Sequence, residues 1–130
     1  MESLQIRTGQ KQLQILDDNG NIRGVFKFNP EDIEGAKRML NIKQELTLKQ
    51  QEFNERAADA STDEEKFAII DEIVDYFEAK IDECFGDGTS KLLFGDARTI
   101  SMFEDFFTGI TPYYEKASEA RKAKYAKDKQ

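Results

Sequence analysis

Two apolar stripes at helical spacing, separated by a glycine-punctuated turn, constrain this chain more than any other feature. Ile70, Ile73, Val74, Phe77, Ile81, Cys84 and Phe85 fall in an arc of about 120° at 100° per residue. Ile100, Phe103, Phe106, Phe107, Ile110, Tyr113 and Tyr114 span about 140°. Between them Gly86 and Gly88 supply the backbone freedom that ends a helix, Thr89 to Phe94 reads as one short helical turn, and Gly95 closes it. Two amphipathic helices joined this way must pack on each other or on a shared third surface. The second begins near Asp96 to Thr99, and Gly109 and Pro112 are expected to kink it.

The N-terminal part reads differently. Leu4-Gln5-Ile6-Arg7, Gln12-Leu13-Gln14-Ile15 and Val25-Phe26-Lys27-Phe28 alternate with period two, separated by Thr8-Gly9-Gln10 and by a turn centred on Asn19-Gly20. A three-stranded antiparallel meander is expected there, with Leu4, Ile6, Leu13, Ile15, Phe26 and Phe28 packing on helices or on another subunit. A first long helix follows, with Asn29 as N-cap, Pro30 at N1 and Asp32 at N3. Ile33, Ala36 and Leu40 share one of its faces, continued less regularly by Leu46, Phe53 and Ala57. Lys43 to Arg56 is so polar that this stretch projects into solvent or packs on one side only. Ala57 to Thr62 reads as a break, and Ser61 or Thr62 with Glu64 or Glu65 forms the capping box of the second long helix. The fold class is therefore α+β and mainly helical: meander, two long helices, a short helical turn and a kinked aromatic helix. Residues 1–114 form a single domain, and the Lys/Ala-rich stretch 115–130 is a basic tail, frayed or disordered.

Composition narrows the chemistry. The chain has 130 residues, enough for one core, and its ten Phe and four Tyr argue against wholesale disorder. It has no His and a single Cys, so internal disulfides, thiolate–imidazole metal sites and the usual nucleophilic triads lose their members. Cys84 reads as a small apolar core residue. Acidic Asp71/Asp75 and Glu78/Asp82 pairs lie one helical turn apart, on the polar side of their helix, where desolvation does not separate their pKa values. Neither Gly88 nor Gly24 has the acids a calcium loop needs before its glycine, and residues 86–91 lack phosphate-loop spacing. No enzyme activity, cofactor or metal is expected. No apolar run approaches the roughly 18–20 residues of a membrane span, so no membrane partner is expected. Charge is polarised under a net −7: Glu55 to Asp87 holds twelve acids against three bases, and Tyr113 to Gln130 six bases against three acids. Six interleaved bases behind an acidic body do not make a nucleic-acid partner.

In the order acidic helix, Phe85-Gly86-Asp87-Gly88-Thr89-Ser90-Lys91, short apolar turn, Phe94-Gly95-Asp96 and aromatic helix, the chain resembles small tail assembly chaperones of siphophages and related prophages of Gram-positive bacteria. The likeness covers residues 71–130 and is topological before that. It implies a non-enzymatic protein that coats the apolar-helical tape measure protein, brings tail tube protein to it, works in the host cytoplasm and is absent from the mature virion. In such families a ribosomal frameshift often adds a second, tube-binding domain, for which a Lys/Ala-rich end would serve as tether. A homo-oligomer is expected. The apolar pattern, rather than the family words, nominates Phe103, Phe106, Phe107 and Ile110 as client contacts, with Leu46 and Phe53 on the first helix. Two other readings fit the residues: an acidic inhibitor whose helix from Asp63 to Asp87 mimics nucleic acid on a host protein, and a small virion connector whose meander completes a neighbour's sheet.

Overall fold

A computed structural model describes residues 1–128. Two strands, β1 (Lys11–Leu16) and β2 (Ile22–Phe28), precede four helices: α1 (Ile33–Asp59), α2 (Asp63–Phe85), α3 (Thr89–Phe94) and α4 (Ser101–Asp128). The molecule is mainly helical with one small antiparallel sheet.

The sheet has two strands, and the expected meander is corrected accordingly: Leu4 to Arg7 pairs with nothing among the described residues. The reason lies at the turn that was to return this segment to β1. The Asn29 side-chain amide donates to the Thr8 carbonyl at 2.8 Å. Gly9, at φ +97°, lies so close to the Glu31 side chain that no Cβ would fit. With Thr8 and Gly9 engaged by Asn29 and Glu31, the tight return to β1 is not made, and Leu4 and Ile6 are 84% and 69% exposed. The hairpin itself forms as the alternation requires, with Leu13 opposite Phe26 and a bulge after Ile15. Asp17 closes its turn by accepting from the amides of Asn19 and Asn21, which holds its carboxyl below the usual range.

Phe26 and Phe28 point from the hairpin into the core. Phe26 meets Phe85 and Phe106 edge-on, and Phe28 meets Tyr113 edge-on, so the sheet rests on the end of α2 and the middle of α4. Helix α2 supplies Ile69, Ile73, Val74, Phe77 and Ile81, the stripe the spacing predicts with Ile69 added and Ile70 only partly buried. Cys84 is half-buried, and burial pushes its thiol pKa up.

Helix α1 starts later than expected. Asn29 accepts from the amides of Glu31 and Asp32, forming a turn in which Pro30 is buried, and Asp32 is the true N-cap, accepting from the Gly35 amide at 3.0 Å. Its core face is also corrected: Met39, Ile42 and Leu46 are buried, whereas Ile33 and Leu40 are 50% and 54% exposed. Helix α1 continues to Asp59, so the break is only Ala60 to Thr62. Thr62 accepts from the Glu65 amide at 3.1 Å, and Glu65 reaches back to the Ser61 amide at 2.9 Å. Thr62→Ala is expected to lower stability by about 1 kcal/mol in urea unfolding, the usual effect of losing such a cap; an unchanged midpoint would mean the cap is redundant.

At the glycine turn, Gly86 (φ +117°) ends α2 and Gly88 adopts the left-handed conformation before α3. Asp82 locks the joint, accepting from the Ser90 amide at 2.8 Å. Residues 96–100 are loop and α4 starts at Ser101. It runs through Pro112, and the basic stretch expected to fray is helical as far as Asp128; the rest of that tail lies outside the described residues.

Candidate functional site

The nominated client contacts do not form one open surface. Phe103 is fully buried, its ring 5.4 Å from Phe77 and 5.1 Å from Phe94. Ile110, Phe107 and Leu46 are buried too. Phe106 is half-buried among Phe26, Phe85, Phe94 and Phe107, and Phe53 packs half-buried against the core. The rings of α4 are mainly core, with Phe106 and Phe53 the more accessible members of the set.

Two of the six nevertheless have a second role. Leu46 and Phe107 form the floor of a groove of about 520 Å³ between α1 and α4, with Lys43, Thr47 and Gln50 on one wall and Glu104, Thr108, Thr111, Pro112 and Glu115 on the other. A second depression of about 310 Å³, floored by Ala36, Met39, Leu40 and Tyr114, shares Lys43, Thr111 and Glu115 with the first and extends it to Ser118 and Arg121. The wall positions run from 50 back to 36 on α1 and from 104 forward to 121 on α4, so the helices are antiparallel here. At 1.5 Å per residue the two depressions together span roughly 20–25 Å of the helix pair, about four helical turns, with the Lys43–Thr111 contact between them.

Its walls are pinned by polar bridges. Lys43 Nζ donates to Thr111 Oγ1 at 3.1 Å, and that hydroxyl donates onward to the Phe107 carbonyl at 2.5 Å. Gln50 donates to the Glu104 carboxylate. These hydrogen bonds tie α1 to α4 across the groove. Burial raises the Tyr114 pKa, so the ring at one end of the floor stays neutral across physiological pH.

Leu40 is the residue the sequence reading misplaced. Helix α1 carries two apolar stripes, Met39–Ile42–Leu46–Phe53 toward the core and Ile33–Ala36–Leu40 rotated away from it. Grouping both stripes as one face hid Leu40, the most exposed apolar side chain of the groove.

The acidic side of α2 is largely engaged. Arg98 donates from Nε to Asp71 at 2.9 Å and from Nη2 to Asp75 at 2.7 Å, strapping the loop before α4 onto α2. Arg56 bonds Glu72 at 2.7 Å, and this hydrogen bond holds the Glu72 carboxyl below its ordinary pKa. Glu78 moves the other way, raised by partial burial against the opposing pull of Arg98. Tyr76 donates to Glu45 at 2.5 Å, and the loss of that bond on ionisation pushes its pKa up to about 12. Most of these carboxylates are thus used in ion pairs and caps across helix joints, and Glu78 corrects the expectation for the acidic pairs, since partial burial does raise it. Among the described residues no helix is long and apolar enough to cross a membrane.

Comparison with curated proteins and with solved structures gives no match. The profile of a protein family matches residues 22–130, from β2 to the last residue, and on that match the chain belongs to the family of unknown function DUF6673.

Proposed function

We propose that the protein is a non-enzymatic tail assembly chaperone that holds helical segments of a tape measure protein in solution, recruits tail tube subunits to it, and acts in the host cytoplasm without entering the mature virion. The observation that carries this reading is the α1–α4 groove: an apolar floor, a polar rim and the length of about four helical turns suit an amphipathic client helix laid between two helices. The order of elements around the glycine turn supports it through the resemblance. The rim alternates Lys43 and Arg121 with Glu104 and Glu115, which suits clients of mixed charge and modest specificity. Tight coating then comes from many copies along one long client.

Leu40→Glu tests the reading. The side chain is 54% exposed, so the variant should fold with an unchanged melting curve. Losing one buried leucine contact in the complex, about 1.5–3 kcal/mol, predicts at least tenfold weaker capture of a co-expressed tape measure protein and a lower soluble fraction of it. If the wild-type chain leaves that fraction unchanged, the chaperone reading fails; if Leu40→Glu acts like wild type, the groove is the wrong surface.

A further inference from the structure

The geometry points to a second copy of this chain as the partner of residues 2–7, which add as a parallel strand to the open edge of β1 in a reciprocal dimer. This assignment is independent of the client groove.

Three observations carry it. First, residues 1–10 make no backbone-to-backbone hydrogen bond among the described residues, yet Leu4-Gln5-Ile6 alternates as a strand does and exposes both apolar side chains. Second, the sheet is two-stranded, so the edge of β1 away from β2 carries unpaired donors and acceptors, a surface that recruits strands. Leu13 and Ile15 on that strand are only partly buried, leaving apolar area for a neighbour to cover. Third, the same tripeptide occurs in both places: Leu4-Gln5-Ile6 and Leu13-Gln14-Ile15.

Charge chooses the register. Laid parallel with a nine-residue offset, Leu4 stands beside Leu13, Ile6 beside Ile15 and Glu2 beside Lys11, with all three pairs on one face. Folded back antiparallel on its own β1 through Gly9-Gln10, the segment would match Leu4 to Ile15 and Ile6 to Leu13 but set Glu2 against Asp17. Like charges in that position destabilise a strand pair. The parallel arrangement cannot form within one chain, because parallel neighbours need a crossover of a dozen or more residues and only three, Thr8, Gly9 and Gln10, stand between the two stretches. Asn29 and Glu31 already hold Thr8 and Gly9 so that the segment leaves its own sheet. In a two-fold dimer each copy gives one strand and receives one. Two such additions of six residues, with the flanking surface they bring together, reach the lower range of specific interfaces, about 1,200 Å².

Sedimentation equilibrium of the full chain decides it. The wild type should be a dimer at tens of micromolar. Leu4→Asp with Ile6→Asp should raise the dimer dissociation constant by more than about 100-fold, with an unchanged circular dichroism melt of the monomer because both side chains are exposed. Lys11→Glu should weaken the dimer about two- to fivefold, and adding Glu2→Lys should restore it. A wild-type monomer, or a dimer indifferent to the Leu4/Ile6 pair, overturns the proposal. Failure of the Glu2/Lys11 exchange to restore association overturns the parallel register.

Discussion

Phe103→Ala should lower the unfolding free energy by about 3–5 kcal/mol, the range for deleting a fully buried phenylalanine. The ring has no exposure and stands between Phe77 of α2 and Phe94 of α3, so it joins three helices at one point. Tilted and edge-on ring pairs of this kind contribute about 0.5–1.5 kcal/mol beyond area alone. Its neighbours belong to separate elements that cannot all move inward, so the void persists and the loss stays near the top of the range. Against a total stability of about 5–15 kcal/mol for a domain of this kind, the variant would be marginal or partly unfolded at 37 °C. Phe67→Ala is the matched control: that ring is 64% exposed on α2, and its loss should stay within about 0.5 kcal/mol. Urea unfolding of both variants reads the difference. A loss below about 1 kcal/mol for Phe103→Ala would favour the client-contact reading of the ring over the core reading.

The burial of Phe103 shows what the apolar pattern can and cannot carry. Periodicity located α2 and α4 because their stripes are single and wide: a helix with one apolar arc has one way to face a core. Helix α1 has two arcs, and nothing in their spacing ranks them. Tertiary packing, chiefly of α1 on α2, decides: Met39, Ile42 and Leu46 join the core and Leu40 is left at the mouth of the groove. The hairpin was legible from alternation and the Asn19-Gly20 turn. The absent third strand was not, because Asn29 and Glu31 redirect Thr8 and Gly9 from twenty residues away. The same distance hid the cap of α1: Asn29 was a sound candidate locally, but its side-chain oxygen closes the turn around buried Pro30 and leaves capping to Asp32. For the site, Leu46 and Phe107 were visible as apolar positions, but their place on a shared floor depends on the width between two helices far apart in sequence.

Pro112→Ala should stabilise the protein, by up to about 3 kcal/mol. Proline inside a helix lacks the amide that would bond the carbonyl four residues back and crowds the preceding turn, a deficit of about 3 kcal/mol relative to alanine. Pro112 lies well inside α4, so the carbonyl of Thr108 is deprived of that bond. The ring is exposed and lines the groove, so its removal forfeits little packing. Gly109→Ala acts in the same direction by about 0.5–1 kcal/mol, since a Cβ there meets open space and the backbone is not at positive φ. Two helix-weakening residues thus sit within one turn of α4, Pro112 lining the α1–α4 groove and Gly109 exposed beside it, an arrangement that under the proposed function fits a stability–function trade-off. The expected signature is therefore double: the Gly109→Ala/Pro112→Ala chain melts later than wild type yet captures the tape measure protein less well, because a regularised α4 shifts the wall that Thr108, Thr111 and Glu115 present. A later melt with undiminished capture would separate the proline from the function of the groove. An earlier melt would mean that the backbone course Pro112 imposes is itself what lets the Phe103 and Tyr113 turns of α4 reach the core together.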